Sequence, residues 1–501
     1  MSGAIVNQET MRQLAAVREA LSQRLSPDIV KATYSQPSSA ISGLNSYDLE
    51  IGAKMLYPVL TPLRNDIPRV PARGGIQANW RAVTAINTAG LSMGVGEGNR
   101  SGVIAVSTAD YTAKYTTMGL ESSASFQADW AAEYFQDVKA LASLNLLQSV
   151  MIGEEKLILG GNSSVALGKA SAPGLTASSS NGSLGTNANF SVIVVYLSLE
   201  GYLNASVAGG IQAQVTRLNA DGSSDSYGGG AGIKSNNTTV GTTGPSGSVA
   251  ATTTAKAGAF GYAWFWGDTA GTEVLGAITT EAQYTITAEP TGTQTAASLP
   301  AATDYSTNSL VIDGYLTQVV KSGSNAYVSV MANGATLTAD NAGGIVEIDA
   351  ALKSFWDNYR LSPSDIWVSS QEQTNISKKV LSTSSSSPGA QRFVFTADQS
   401  QIVGGVMATS YRNKYSLDGA KEIPIRLHPN MPAGTIFFNS KQLPYPMSNV
   451  TNITQMRLRR DYWQIEWPLR SLKYEYGIYL DGVMQCYFPP ALGIITNIHN
   501  G

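Results

Sequence analysis

A chain of 501 residues with 43% apolar and 14% charged residues has room for one to three domains and is too poorly charged to be a disordered, strongly solvated chain. Its net charge of −3 excludes a chain-wide basic footprint for nucleic acid, and a single cysteine, Cys486, excludes an intrachain disulfide framework. The opening residues contain no apolar signal segment and no run of 18 apolar residues occurs, so the expectation is a soluble protein made in a reducing cytosol.

In chain order, residues 8–25 predict an amphipathic helix with Met11, Leu14, Val17, Leu21 and Leu25 on one side. A polar arm, residues 33–50, follows, with too little apolar surface to fold alone. Residues 51–70, punctuated by Pro58, Pro62 and Pro68, predict an extended run. Strand-like runs over 75–88 and 103–118 flank a Gly-rich tip, which reads as a long hairpin with arms of roughly 40 Å at about 3.3 Å per residue. A two-stranded hairpin is at best marginally stable in water, so this one is expected to lie on a neighbouring subunit. Its tip, GVGEGNRSG, lacks GK[ST] and no helix follows directly, which argues against a nucleotide site.

Residues 125–162 predict the organising element. Apolar residues from Phe126, Trp130 and Tyr134 to Met151 and Leu157 recur in steps of three and four, the period of a helix. The expectation is one helix of roughly 50 Å, stopped by a left-handed cap at Gly160, Gly161 and Asn162. By itself such a helix also fits the centre of an ordinary bundle.

From 163 to 308 the composition shifts to Ser, Thr, Gly and Ala, with eight acidic and four basic residues. Short strands over 190–197, 210–218, 261–266 and 282–288, separated by turn clusters, predict a β-sandwich-like insertion. Residues 227–249 read as Gly-rich loop. Beyond 310 the patterning becomes α/β again, with a helix over 345–360 whose face carries Ile345, Ile348, Leu352, Phe355 and Tyr359. A strand over 366–368, a helix over 371–381, a strand-and-loop region over 392–427 and a strand over 435–438 come next. Long strands with aromatic alternation occupy 456–498.

The sequence offers no catalytic residue, cofactor site or metal site, so an enzyme is not expected. His428 and His499 with one cysteine cannot make a metal cluster, and neither stands near a nucleophile motif. Glu154 and Glu155 are adjacent on a helix and are expected to be solvated. Asp461 and Glu466 with Arg457, Arg459 and Arg460 read as a charged strand edge making salt bridges between subunits. The candidate intersubunit contacts are therefore Trp80, Tyr111 and Tyr115 on the hairpin arms, Glu97 and Arg100 at its tip, and Arg459, Arg460 and Asp461 on the strand edge.

Taken in this order, the chain resembles the major capsid proteins of tailed bacteriophages, the Hong Kong 97-type fold. The residues that carry the resemblance are the hairpin at 81–114, the helix ending EEKLILGGN, the segments VIDGYLTQV and IDAALKSFWDNYRLSPSDIWVSSQEQTNI, then PAGTIFFNSKQLPYP, RRDYWQIEWPLRS and PPALGIITNI. Outside the insertion it covers nearly all of residues 50–501.

The resemblance implies an α+β subunit with a long spine helix, an extended hairpin arm, a peripheral β-sheet domain and an axial domain carrying the β-sandwich-like insertion. The implied divisions are an N-terminal helix and arm (1–50), an extended segment and hairpin (51–122), the spine helix (123–162), an inserted Ig-like domain on the capsid exterior (163–308), an axial α/β domain (309–430), and peripheral strands with the C-terminus (431–501). It further implies hexamers and pentamers of one subunit, self-assembled in the host cytoplasm into the icosahedral shell of a virion. That shell encloses double-stranded DNA without sequence-specific binding or a membrane, and its partners include portal and scaffold or decoration proteins. A Lys–Asn crosslink known in some members maps to no residue here. Two other readings stay open: an encapsulin-like bacterial compartment shell, and a β-rich surface enzyme or adhesin. The missing acid/base pair and the unsupported hairpin weigh against the second.

Overall fold

The computed structural model describes residues 56–87, 93–133, 136–340, 342–381, 407–416, 419, 421–446 and 448–500, with residues 12, 15, 16 and 19. The chain forms two compact units, Met1–Met55 with Tyr134–Gln136, and Leu56–Glu133 with Asp137–Gly501. In the first, Arg12, Ala15, Ala16 and Glu19 are helical and exposed; the rest of the expected helix over 8–25 and the arm over 33–50 lie outside the described residues.

The second unit is a mixed α+β assembly. Its first element corrects the expectation of an extended run over 51–70: α1 (Pro62–Asp66) is a helical turn. Pro62 stands in the first turn, where its missing N–H costs nothing and its fixed φ suits the helix. The strand β1 (Arg69–Pro71) is next, then the hairpin strands β2 (Gln77–Asn87) and β3 (Ala105–Lys114). The second arm stops short of the expected residue 118. At Tyr115 the chain leaves the hairpin and enters β4 (Thr116–Ser125), which belongs to a different sheet.

The expected single helix over 125–162 is broken in two. A short α2 (Phe126–Ala131) is capped by Ser125, whose hydroxyl accepts the Ala128 N–H. The main helix α3 (Val138–Gly160) restarts at Asp137, whose carboxylate accepts the Ala140 N–H at 2.9 Å. A capping Asp at the start of the second piece outweighs the continuing apolar period, because it satisfies backbone donors that a helix start leaves open. At 23 residues, α3 is about 34 Å long.

The helix also ends differently from expectation. Gly160 is the last helical residue and Gly161 is extended at φ −55° and ψ 140°, so no left-handed cap forms. These glycines serve close approach instead. A Cβ on Gly160 would lie 2.3 Å from Leu199 Cδ2, and one on Gly161 would lie 2.4 Å from the Ile312 carbonyl oxygen. The Gly161 carbonyl accepts both the Gly314 N–H and the Thr317 hydroxyl, which staples the helix end to the chain on the far side of the insertion.

The insertion holds β5 (Gly174–Ser178), β6 (Asn187–Leu197), α4 (Leu199–Leu203), β7 (Gln214–Leu218), β8 (Ser224–Gly228), β9 (Thr238–Thr242), β10 (Ser248–Thr252), β11 (Gly261–Gly267), β12 (Val274–Thr279) and β13 (Gln283–Ile286). A four-stranded sheet, β12-β11-β6-β9, faces a three-stranded one, β13-β10-β5. Along β6, Val192, Val194 and Tyr196 join one core with Trp264 and Trp266, while Ile193, Val195 and Leu197 join a second with Phe265. Both faces of the central strands are covered, hence their unbroken apolar runs. The expected loop over 227–249 contains β9 and the start of β10, and residues 210–213 precede β7 rather than extend it. The Asn308 N–H donates to the Asn162 carbonyl at 2.8 Å, so the segment departs and returns at one point.

The remaining elements build a six-stranded sheet and the rest of a four-stranded one. After α5 (Tyr315–Val320) come β14 (Tyr327–Val330), α6 (Val346–Tyr359), β15 (Asp365–Val368) and α7 (Ser370–Leu381). They are followed by β16 (Ser410–Asn413), β17 (Lys421–Leu427), β18 (Ile436–Asn439), β19 (Thr454–Glu466), β20 (Lys473–Cys486) and β21 (Leu492–Thr496). One sheet runs β14-β21-β18-β15-β17-β16 and the other β1-β19-β20-β4. Since β18 and β21 share a sheet with β14 to β17, the expected division at 430/431 runs through that sheet. Their registers pair Asp365 with Asn439 and Tyr327 with Gly493, residues far apart in the chain, which composition along the chain does not record. Residues 392–406 lie outside the described residues.

Candidate intersubunit surfaces

The hairpin is a sheet of two strands only, paired from Gln77↔Lys114 to Asn87↔Ala105 with a bulge between Val83 and Ala85. Its two faces differ. On one, Ala78 and Ala113 sit at the base against Tyr115 and Val483. Trp80 stacks on Tyr111 at 5.8 Å between ring centroids and meets Tyr487 edge-on. On the other face, Arg81 pairs with Asp110, and beyond it Val83, Ile86 and Val106 are 61%, 57% and 52% exposed. Ile86 and Val106 stand directly opposite each other. The tip continues the pattern with Met93, Val103 and Ile104 exposed. Glu97 and Arg100 are also exposed there.

The other candidate contacts divide. Tyr111 is 41% exposed and Trp80 half-buried, so part of each ring is open. Tyr115 is different: it is buried in its own subunit, with the Arg459 guanidinium 5.1 Å above its ring, so the surface it was expected to seek is within the chain. Arg459 also donates to Asp481 and to the Gly75 carbonyl. Asp461 accepts both Nε and Nη2 of Arg69, and those donors with the Tyr462 N–H hold its carboxyl below the usual range although partial burial opposes this most strongly. Arg460 lies 4.6 Å from the Trp463 ring. The charged strand edge is thus largely consumed inside the subunit, because β1 pairs in parallel with β19 and brings Arg69 to it.

The largest departure concerns Glu154 and Glu155, expected to be solvated and found buried. Glu155 accepts the Leu63 N–H at 2.9 Å, the Arg64 N–H at 2.7 Å and His428 Nε2 at 2.6 Å. The Asn430 N–H donates to His428 Nδ1, so the imidazole is the neutral tautomer with its proton on Nε2. Glu154 accepts Arg69 Nη1 at 2.7 Å, Arg64 Nε at 3.2 Å and the Tyr462 hydroxyl. Two adjacent carboxylates bolt α1, β1, β19 and the segment after β17 to the middle helix. Each of the four carboxylate oxygens accepts at least one donor from these elements, so the cluster fastens them together. Among the described residues, no group of three or more His, Cys, Asp or Glu is placed to hold a metal ion, and no helix is long and apolar enough to cross a membrane.

No family model matches the chain, and no curated protein matches it. Solved structures do. The capsid of Myoviridae phage XM1 aligns over 92% of this chain and 100% of its own at 12% identity, with a TM-score of 0.40. The capsid of a native GTA particle aligns over 93% and 100% at 9% identity with a TM-score of 0.43. Gordonia phage Cozz aligns over 93% and 98% at 8% identity with a TM-score of 0.40.

Proposed function

We propose that this chain is a major capsid protein, a structural subunit that self-assembles through hexamers and pentamers into an icosahedral head shell around double-stranded DNA. The observation that carries the reading is the hairpin. Two strands bonded only to each other hold Val83, Ile86 and Val106 on one exposed face, with Met93, Val103 and Ile104 beyond them. Covering each such side chain contributes about 1.5–3 kcal/mol, and an uncovered ribbon is marginal, so the arm gains most when it lies on another copy. Portal and scaffold or decoration proteins are the partners such a shell needs. The reading assigns the subunit to the virion, assembled in the host cytoplasm, and gives it no catalytic role.

The test is electron microscopy beside sedimentation velocity on full-length protein and on the variant Val83→Asp/Ile86→Asp/Val106→Asp. The wild type is expected to form rings or closed shells. The variant is expected to keep wild-type circular dichroism and thermal stability as a subunit and to fail to close shells. A wild type that stays monomeric at high concentration overturns the proposal, as does a triple variant that still builds full-size shells.

A further inference from the structure

The C-terminal residues 497–500 tie three parts of the molecule together. Asn497 accepts the Ala282 N–H of the insertion through Oδ1 and donates to the Met331 carbonyl and Asn333 Oδ1. The Ile498 N–H donates to the Gly434 carbonyl and the His499 N–H to the Ala335 carbonyl. Glu281 of the insertion accepts His499 Nδ1 at 2.6 Å and the Asn500 N–H at 3.2 Å. Gly434 stands at the centre, at φ 75°, where a Cβ would lie 2.8 Å from the Ile498 carbonyl oxygen.

The other side of the Gly434 peptide meets an unusual group. Its N–H donates to Glu372 Oε1 at 3.0 Å, and Asn375 Nδ2 donates to the same oxygen at 3.3 Å. Glu372 is fully buried at the start of α7, and its Oε2 has no hydrogen-bond partner. Among the described residues no cation lies within ion-pair distance of it. On the strands packed against α7, Asp365 of β15 pairs with Arg426 of β17 and with Lys441, and just beyond β17 His428 pairs with Glu155. Lys378 and Lys379 belong to the far end of α7. The charged group felt at Glu372 is the Glu281 carboxylate, itself paired with His499.

We propose that Glu372 is held as a neutral carboxylic acid and, with Glu281 and His499, forms a proton-linked clasp that fastens the C-terminal tail and the insertion to the six-stranded sheet. Ionisation of Glu372 places an unpaired charge in the interior beside a second carboxylate, and the clasp loosens. The field of the α7 N-terminus favours the ionised form but does not outweigh burial. Burial pushes the carboxyl up to about 7; the Gly434 and Asn375 donors oppose this, and the Glu281 charge adds to it. Because the folded value lies above the ordinary 4.5, the clasp's stability is fully present below that value and is lost as pH rises through about 7. The full change in the closing equilibrium is on the order of a few hundredfold. The clasp stands independently of the capsid reading.

Hydrogen exchange of the C-terminal peptide, read against α6 amides in the same full-length sample, tests this across about pH 4 to 8.5. Wild-type tail protection is expected to fall progressively from about pH 4.5 and to level off above about 7, by about a hundredfold or more in all. Glu372→Gln, which cannot ionise, is expected to hold the tail closed throughout. A tail-to-α6 ratio that is flat with pH in the wild type overturns the clasp, whether or not E372Q folds. So does an E372Q profile that falls as the wild type's does.

Discussion

Replacing Glu155 by Ala removes the acceptor for three donors at once: the Leu63 and Arg64 N–H groups at 2.9 and 2.7 Å and His428 Nε2 at 2.6 Å. His428 cannot turn acceptor to compensate, since Asn430 occupies Nδ1 and fixes the tautomer. Each buried donor left without a partner costs about 1–3 kcal/mol, and Arg64, being part-buried, sits at the low end. The expected loss is about 3–6 kcal/mol, a large share of the roughly 5–15 kcal/mol that holds a typical protein folded. Glu155→Gln keeps the shape and one acceptor oxygen but turns an amide N–H₂ toward a donor, and is expected to lose about half as much. Because His428 acts through Glu155, adding His428→Ala to Glu155→Ala should cost far less than His428→Ala alone. Urea unfolding followed by tryptophan fluorescence, on subunits kept below the assembly concentration, reads the four variants beside the wild type. A Glu155→Ala loss under about 1 kcal/mol, or strictly additive single losses, refutes the bolt.

Two glycines near one helix should respond with opposite signs. Gly153 lies inside α3 with nothing within 4 Å of an added Cβ, so Gly153→Ala should stabilise by about 0.5–1 kcal/mol; Gly161→Ala drives a methyl against the Ile312 carbonyl and should destabilise by at least as much, both read by the same urea titration. The segment 163–308 has two cores drawn from its own residues and ends that meet through Asn162 and Asn308, so expressed alone it should unfold as one cooperative transition in calorimetry. A broad, non-cooperative melt would show that it depends on the Leu199–Gly160 contact with the spine.

Much of the fold was legible in the sequence because local period and local burial agree there. The face of α6 through Ile348, Leu352 and Phe355 is buried as its spacing predicts, and β6 and β11 read as apolar runs because both faces are covered. The hairpin was legible from its Gly-rich tip, and its lack of intrachain support from its length. What only the tertiary structure decided depends on pairs far apart in the chain. The buried row of α3 is Leu146, Val150, Glu154 and Ile158, and a glutamate in that row looks solvent-facing until Arg64 and Arg69, some 85–90 residues earlier, supply its partners. Burial of Tyr115 and the internal pairing of Arg459 and Asp461 arise from β1 lying on β19 and β4 on β20, a register set by backbone bonds rather than local composition. The S-x-x-E spacing of Ser369 and Glu372 marks a helix start, and the Ser369 hydroxyl does accept the Glu372 N–H. That the carboxyl then turns to Gly434 depends on a glycine 62 residues away, a distance over which chain pattern carries no information.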